Sequence, residues 1–302
     1  MRMVSDIGSA ANIRGRLRIY WQYTKPRIWL LFTVEALAGA VLGWNDAGSF
    51  PAIRAATIVL SVALAAIGAE ALTNVIDKDI DAQMERTKSR PLPTRAISQA
   101  DALILGAITI AGSLMLAEAL GPLTLLLIAI GLVDNIVVYS LLAKRTTPWS
   151  IVLGSVSGGV PIWAGYAAIR LPISAAGWLL GMLVLAWIPL HIWSIAYAYA
   201  DDYRIAHVPM APVAWSERRF GWTLAAASAV LFAIALVTDW LLFRGVAAAI
   251  FLANLAAATL LVAAVKFARQ PSVLRAKQVF LACNIYLLLL FLGVIADVAL
   301  FR

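Results

Sequence analysis

The chain has 302 residues, of which 63% are hydrophobic and only 13% are charged, and its mean hydropathy is +0.88. Soluble globular domains are about half apolar and a quarter charged, so this composition excludes a water-covered exterior and indicates a lipid solvent. The net charge of +8 does not indicate nucleic-acid binding, because the basic residues lie between apolar segments, where they set orientation in a bilayer.

Nine segments are long and apolar enough to cross a bilayer, which requires about 20 mostly apolar residues each. They are residues 28–45, 52–76, 100–118, 122–142, 149–169, 174–200, 221–239, 245–265 and 279–299. The short gaps between the third, fourth and fifth segments predict antiparallel neighbours. The predicted fold is therefore an all-α polytopic bundle of about nine transmembrane helices, with residues 28–302 as a single domain.

Residues 1–27 precede the first apolar segment and are predicted to be a cytoplasmic or interfacial segment. They are not a secretory signal, because the first apolar run begins only at Ile28 and is long enough to span. Residues 13–27 mix Arg, Lys, Trp and Tyr with Ile and Leu, which fits an interfacial amphipathic helix. A basic, partly disordered tail fits equally well.

Lysine and arginine predict the orientation. With the N-terminus inside, the inner side carries 20 of these residues and the outer side carries 4. Cytoplasmic loops carry such an excess, so loops 77–99 and 201–220 are predicted to face the cytoplasm and the chain to lie in the cell membrane. An odd number of helices preserves this asymmetry.

Three aspartates close the second apolar segment. Asp77 and Asp81 are four residues apart and share one helix face, whereas Asp79 points roughly the other way. Two carboxylates at the mouth of an apolar bundle form an oxygen-rich site suited to Mg²⁺, which binds one or two carboxylates and bridges to substrate phosphates. Taken alone, this spacing also fits an ordinary solvated helix end.

Basic residues follow these acids at once. Arg86, Lys88 and Arg90 come directly after the aspartates, and guanidinium groups grip phosphate oxygens in a bidentate fashion. A positive cytoplasmic loop accounts for the basic residues but not for the acids just before them. The block therefore predicts a clamp for a metal-bound diphosphate.

Two further loops on the same predicted side carry charges. Asp202 and Tyr203 follow the sixth apolar segment, so two acidic helix ends are predicted to meet on one face. Lys144 and Arg145 follow Tyr139 at the end of the fourth segment. They are either more cations for the diphosphate or an ordinary basic flank favoured by the helix dipole.

Ionisable residues also occur inside the apolar segments. His191 lies in the sixth segment, where a histidine indicates function unless a partner satisfies it; a carbonyl freed by Pro189 is the alternative partner. Glu35 and Asp134 lie in other segments. Glu70 lies about two turns before Asp77 on the same face, so it either borders the same cavity or pairs with a neighbouring helix.

These motifs resemble the UbiA superfamily of intramembrane prenyltransferases, and within it the protohaem IX farnesyltransferase family. The resemblance covers most of the chain. It rests on Thr24-Lys25-Pro26-Arg27, the Asp77–Pro93 block, Tyr139–Thr146, the glycine-rich Gly154–Pro161, Trp187–Trp193, and Asp202-Tyr203 with Val208-Pro209-Met210.

The resemblance implies a central cavity with both aspartate regions at its cytoplasmic mouth. It implies a polyprenyl diphosphate donor, haem b as acceptor, Mg²⁺ as cofactor, and a haem A synthase as a possible downstream partner. By position, Asp77, Asp81 and Asp202 would hold the metal. The expected diphosphate ligands are Arg86, Arg90, Lys144 and Arg145. Other expected substrate contacts are Asn74, Asp79, Trp193 and Tyr203, with His191 facing the haem and Tyr139 stabilising the allylic cation through its ring.

Three positions depart from the family pattern. Thr73 stands where the superfamily usually has Asn, so its role as a ligand is in doubt, with Asn74 one residue on. His207 replaces the usual Gly before Val-Pro-Met, and Leu190 stands where Pro is frequent.

Two other functions compete with this one. A sister enzyme would prenylate a quinone precursor or a glycerol lipid, and only the acceptor distinguishes it. A secondary transporter places ionisable groups near the midplane and often has inverted repeats. Here the acids cluster at helix ends on one side and no inverted repeat is evident, which favours an enzyme.

Overall fold

The computed structural model describes residues 15–44, 50–242 and 247–301, and no β-strand occurs within those ranges. The helices in chain order are α1 (residues 15–23), α2 (Pro26–Gly43), α3 (Ala52–Ile76), α4 (Lys78–Gln83), α5 (Gln99–Leu120), α6 (Pro122–Val133), the π-helix Asp134–Ala143, α7 (Ser150–Leu153), α8 (Val156–Ile169), α9 (Ala175–Ala198), α10 (Ala200–Ile205), α11 (Ala211–Ala214), α12 (Glu217–Leu242), α13 (Ala247–Arg269) and α14 (Val273–Phe301).

Within the described ranges, nine helices are long and apolar enough to cross a membrane, which confirms the predicted number. The π-helix continues α6, and α7 with α8 forms a single span. The predicted boundaries at residues 45 and 245, and residues 1–14 of the predicted N-terminal segment, lie outside the described residues.

Two C-terminal helices begin before their apolar segments. α12 starts at Glu217 and α14 at Val273, because Ser216 and Ser272 precede them. The hydroxyl of each serine accepts the backbone N–H three residues on, at 3.3 Å, which is how a helix N-terminus satisfies its free donors. The run of apolar residues predicts where the chain crosses the membrane, but it does not include the polar first turn or the serine that caps it.

Small residues let α2 and α8 approach closely. A Cβ atom added to Gly39 would overlap the carbonyl oxygen of Ile162, and one added to Gly165 would overlap that of Ala36. In a membrane, where no hydrophobic effect drives helices together, such close backbone approach supplies the van der Waals contact that holds them. The crossing fixes α2 against a helix that is almost completely buried.

The N-terminal helix α1 is docked onto α3. The Tyr23 hydroxyl donates to the Ala71 carbonyl at 2.7 Å, and the Asn74 amide donates to the Tyr23 carbonyl at 3.3 Å. Leu17 and Trp21 on its other side are 64% and 55% exposed. Helix α1 thus exposes apolar side chains away from its docked side, and its place at the membrane interface stays a prediction.

An arginine joins three helices at the opposite end of the bundle. Arg54, at the start of α3, donates to the carbonyls of Leu120 and Ala168 at 2.8 and 2.6 Å. These carbonyls end α5 and α8, where backbone acceptors lack helical partners. The side chain therefore caps two helices from a third.

A partly open cavity lies among α2, α3, α6, the π-helix and α8. Phe32, Val62, Ala66, Leu132 and Val160 form part of its largely apolar wall. Because the walls come from five different elements, the cavity is a property of the bundle. Neither Asp77 nor Asp202 lines it, so a cavity with both aspartate regions at its mouth stays an expectation from the resemblance.

Candidate active site

Asp77 stands at a break between two helices. It ends α3 and precedes α4, and the Asp81 N–H donates to its carbonyl at 2.8 Å, so the chain makes a helical turn between the two residues. Asp77 and Asp81 are buried, at 7% and 5% exposed, whereas the side chain of Asp79 is 60% exposed. The structure therefore shows the predicted arrangement, with Asp77 and Asp81 on a buried face and Asp79 on an exposed one.

Each of the three aspartates forms an ion pair with a different basic residue. Asp77 Oδ2 binds Lys144 Nζ, and both oxygens of Asp81 accept from Arg90 Nη1, at 2.7 and 2.9 Å.

The third pair, Asp79 with Arg145, is bidentate, at 2.7 and 2.6 Å. Three basic residues that were predicted to bind diphosphate thus neutralise the three aspartates. These three ion pairs form the polar end of the bundle that is called the mouth below.

Asp202 joins the second acidic region to the first. Its carboxylate oxygens accept the backbone N–H groups of Glu85 and Arg86, both at 3.2 Å, across 117 and 116 residues of sequence. The Arg86 guanidinium lies over the Tyr199 ring, 5.4 Å from its centroid. The start of α10 is therefore held against the loop that follows Asp81, as the prediction of two meeting acidic helix ends requires.

The charges at the mouth shift the pKa values of their partners. Hydrogen bonds from Arg145 hold the pKa of Asp79 below its usual value. Burial alone would lower the pKa of Lys144, but Tyr139 and the Asp77 carboxylate more than offset this and the pKa lies above its usual value. At neutral pH, Asp79 is therefore ionised and Lys144 is protonated.

The donor atoms at the mouth fit a hard divalent cation. Asp77 Oδ1 is buried and has no hydrogen-bond partner, which leaves one carboxylate oxygen free to bind a metal. Among the described residues, no three His, Cys, Asp or Glu side chains converge on one metal position. Mg²⁺ needs only one or two carboxylates when phosphate oxygens and waters complete its shell, so Asp77 and Asp81 suffice for this geometry.

The π-helix brings Tyr139 beside the ion pair of Asp77. Lys144 Nζ lies 5.6 Å from the Tyr139 ring centroid, and a Cβ atom added to Gly154 would lie 2.6 Å from Tyr139 Cβ. Tyr203 is also an electrostatic neighbour of Lys144. Pi-helical turns occur frequently at functional sites, and this one places an aromatic ring beside the Lys144 cation.

The chain matches the model of the UbiA prenyltransferase family over residues 30–292. It is 37% identical to the protoheme IX farnesyltransferase of Thermoplasma acidophilum over 285 residues, covering 93% of this chain and 98% of that one. It is 36% identical to the protein of the same name in Desulforudis audaxviator over 294 residues, covering 95% and 90%.

The chain belongs to the UbiA prenyltransferase family.

Solved structures of low sequence identity share the fold of this UbiA-family chain. A structure from work on digeranylgeranylglyceryl phosphate synthase superposes with a TM-score of 0.77 at 15% identity, covering 94% of this chain and 99% of that one. A UbiA homologue from Archaeoglobus fulgidus bound to DMAPP and Mg²⁺ gives 0.71 at 16% identity, covering 93% and 99%. The predicted all-α membrane bundle is confirmed, and the chain is a multi-pass membrane prenyltransferase.

Two residues of this UbiA-family protein that were predicted to contact substrate, Asn74 and Trp193, make contacts within the protein itself. Asn74, expected at the substrate, donates to the Tyr23 carbonyl, and Thr73 Oγ1 donates to the Glu70 carbonyl at 3.3 Å. Trp193 is 1% exposed and packs against Trp149, Trp215 and Phe220 in a wholly aromatic cluster. The roles of Asn74 and Trp193 toward substrate stay predictions, and that of Thr73 stays in doubt.

His191 lies between two aromatic rings. Its centroid is 4.3 Å from that of Trp187 on α9 and 4.6 Å from that of Phe280 on α14. His191 Nδ1 is buried and has no hydrogen-bond partner, so the structure does not provide the carbonyl partner considered beside Pro189. The part of His191 in haem binding stays a prediction.

Lys25 was not predicted to be a site residue. Lys25 Nζ binds Glu70 Oε2 at 2.5 Å, and Glu70 lines the apolar cavity, so both alternatives for Glu70 are realised at once. Asn135 and Ser157 also line the cavity. In the sequence, the feature that could have indicated a role for Lys25 was its place in Thr24-Lys25-Pro26-Arg27, directly before the first apolar segment.

Proposed function

We propose that this prenyltransferase moves a polyprenyl group, farnesyl or longer, from an allylic diphosphate to a vinyl group of haem b, giving haem O. The choice of haem b as acceptor rests on the 36–37% identity, over 93–95% of the chain, to proteins named protoheme IX farnesyltransferase. The digeranylgeranylglyceryl phosphate synthase likeness, at 15% identity, concerns the fold alone.

The proposed cofactor is Mg²⁺, held by Asp77 and Asp81, with Asp202 at the second acidic position. The free Oδ1 of Asp77 supports this assignment, as does the homologue structure bound to DMAPP and Mg²⁺. When bound, the ion neutralises charge on the diphosphate leaving group.

The basic residues at the mouth bind the diphosphate. Lys144, Arg145 and Arg90 now neutralise the three aspartates. Because the carboxylates turn to a cation when substrate arrives, these basic groups become available to phosphate oxygens, together with the exposed Arg86 side chain. Preorganised positive charge where negative charge develops lowers the barrier to ionisation.

The apolar cavity next to this mouth holds the prenyl chain. Its apolar walls keep water from the allylic cation until the vinyl carbon has attacked. The Tyr139 ring, already beside the Lys144 cation, presents a negative face to the developing positive charge. His191, Trp193 and Tyr203 are assigned to the acceptor side, and Asn74 and Asp79 to the support of the mouth. Bond formation then joins the cation to the vinyl carbon.

The proposed setting is the cell membrane, with the mouth facing the cytoplasm. Residues 1–27 form a cytoplasmic or interfacial segment and residues 28–302 the transmembrane domain. The 20 to 4 distribution of Lys and Arg supports this orientation. A haem A synthase would consume the product.

The decisive experiment supplies membranes containing the protein with haem b, Mg²⁺ and prenyl diphosphates of several lengths. Mass spectrometry of the extracted haem identifies the acceptor and the accepted chain together. We expect a prenylated, hydroxylated haem that disappears when the divalent cation is chelated. Consumption of hydroxybenzoate or a glycerol phosphate with haem b left unchanged would contradict the assignment.

A further inference from the structure

Glu70 is the one ionisable side chain among the described residues that line the apolar cavity. It lies on α3 seven residues before Asp77, so it is about 10 Å farther into the bundle along the helix axis. Its Oε2 binds Lys25, whereas its Oε1 accepts no hydrogen bond from any described residue. One carboxylate oxygen is therefore available to a molecule in the cavity.

An ion pair in this position is costly. Taking two charges out of water carries a desolvation penalty that the pairing only partly repays, and the Lys25 and Glu70 side chains are only 25% and 18% exposed. Ionisable residues within membrane spans mark functional positions by default. Lys25 supplies the opposite charge that allows a carboxylate to remain in an otherwise apolar wall.

The other candidate groups are not part of the cavity wall: Glu35 is buried outside it, and Asp134 accepts the Ser157 backbone N–H. Asp77 and Asp81 lie at the mouth, where both are paired with cations. His191, an attractive proton acceptor from sequence alone, has its ring against Trp187 and Phe280 and is not part of the cavity wall. Among the described residues of the cavity wall, Glu70 is therefore the one side chain basic enough to accept the proton of the hydration step.

We propose that Glu70 accepts the proton of the water molecule that completes the hydroxyalkyl group, an inference that rests on the proposed haem prenylation. The bond between prenyl C1 and the diphosphate oxygen breaks, and its electron pair leaves with the diphosphate. The vinyl π electrons form the new bond to C1 and leave a cation on the adjacent carbon. The water oxygen bonds to that carbon, and the water proton passes to the Glu70 carboxylate.

The pairing with Lys25 suits this role. Water that has attacked a carbocation is a strong acid, so a weakly basic carboxylate is sufficient to remove its proton. The Lys25 charge holds Oε2, which leaves the free Oε1 to receive the proton. The Glu70 carboxylate also lies away from the mouth, so it does not compete with Asp77 and Asp81 for the metal.

The test compares Glu70→Gln with the wild-type chain in membranes supplied with haem b, Mg²⁺ and farnesyl diphosphate. Two quantities are measured: the diphosphate released and the hydroxylated prenyl-haem formed. We expect the ratio of hydroxylated haem to diphosphate to fall by about tenfold or more. The lost product should appear as the alkene that is lighter by one water, because the cation then loses a carbon-bound proton instead.

Glu118→Gln is the matched control, since Glu118 is exposed on α5 and its replacement should leave the ratio unchanged. A wild-type ratio in Glu70→Gln would overturn the proposal. So would an equal fall in diphosphate and hydroxylated haem, which would indicate a structural or binding role. If Glu70→Gln does not fold, Glu70→Ala decides: a reduced hydroxylated fraction supports the proposal, and a wild-type fraction contradicts it. Wild-type membranes that form no prenylated haem would instead refute the underlying function.

Discussion

The surroundings of each carboxylate distinguish the aspartates at the mouth. Asp77 and Asp81 are buried and paired with Lys144 and Arg90, whereas Asp79 meets Arg145 at an exposed position. Exposed ion pairs contribute little to stability, but removing one member of a buried pair leaves a charge without compensation. In the proposed mechanism, the two buried acids are therefore the metal ligands, and Lys144 and Arg90 hold them in place before the substrate binds.

Asp77→Ala and Asp81→Ala should each reduce prenylated haem by about 100-fold or more, because charge stabilisation at the leaving group is lost. Product is measured by mass spectrometry, and the folded state by gel filtration and thermal unfolding in detergent. Glu118→Ala provides a control for the loss of a membrane-helix carboxylate. Wild-type turnover by either aspartate variant would refute the proposed metal role.

Asp202→Asn and its neighbour Asp201→Asn form a second comparison. Asp202 accepts two backbone N–H groups and is 8% exposed, and hydrogen bonds to charged groups contribute about 1.5–3 kcal/mol. An amide replaces one acceptor by a donor, so we expect a lower unfolding temperature and lower activity.

Asp201, whose side chain is 90% exposed, pairs with Arg204 on the surface. Asp201→Asn should therefore behave like the wild-type protein. Equal effects of the two substitutions would contradict the assigned role of Asp202.

Helices α2 and α8 show how an element-scale contact supports the site. Their backbones touch at Gly39 and Gly165, and both helices contribute to the cavity wall. Lys25 immediately precedes α2, so the same contact fixes the position of the Glu70 partner. The close packing of α2 against α8 therefore helps to hold the Lys25–Glu70 ion pair in place at the cavity.

Gly165→Ala should destabilise the bundle, because the new Cβ would overlap the Ala36 carbonyl oxygen and overpacking costs about 1–3 kcal/mol. Thermal unfolding in detergent measures the effect. Gly112→Ala is the control: its Cβ would lie 3.4 Å from Leu64, and alanine is the better helix former. Equal or higher stability of Gly165→Ala would show that the two helices are not packed this closely.

Over the whole molecule, the charges of the mouth, α1 and the basic loops lie at one end of the bundle, and Arg54 caps helices at the other. An excess of Lys and Arg marks the cytoplasmic side. The proposed orientation therefore also determines the compartment from which the diphosphate enters.

The orientation is testable with Ser89→Cys and Leu171→Cys, since the single native cysteine, Cys283, is buried. In intact cells, a membrane-impermeant maleimide should label Leu171→Cys and leave Ser89→Cys unlabelled until the membrane is opened. The side chain of Leu171 is 56% exposed, which makes it accessible. The reverse labelling pattern would place the mouth outside the cell.

The sequence by itself determined the nine spans and the two-faced spacing of Asp77, Asp79 and Asp81. Both are local properties: hydrocarbon thickness sets the length of each apolar run, every backbone group in lipid must be satisfied within its helix, and helical periodicity sets the faces. Only the tertiary structure decided which cation meets which acid. Lys144 and Asp77 are 67 residues apart, and such a pair forms only where packing brings two helix ends together.

The same reason explains Glu70 and His191. Sequence periodicity placed Glu70 on the face of Asp77 but left open whether a cavity or a neighbouring helix faces it, and the bundle supplies both. His191 looked available for chemistry, yet Phe280 from the last helix covers one face of its ring. Surroundings of this kind depend on helices distant in sequence, so no local pattern records them.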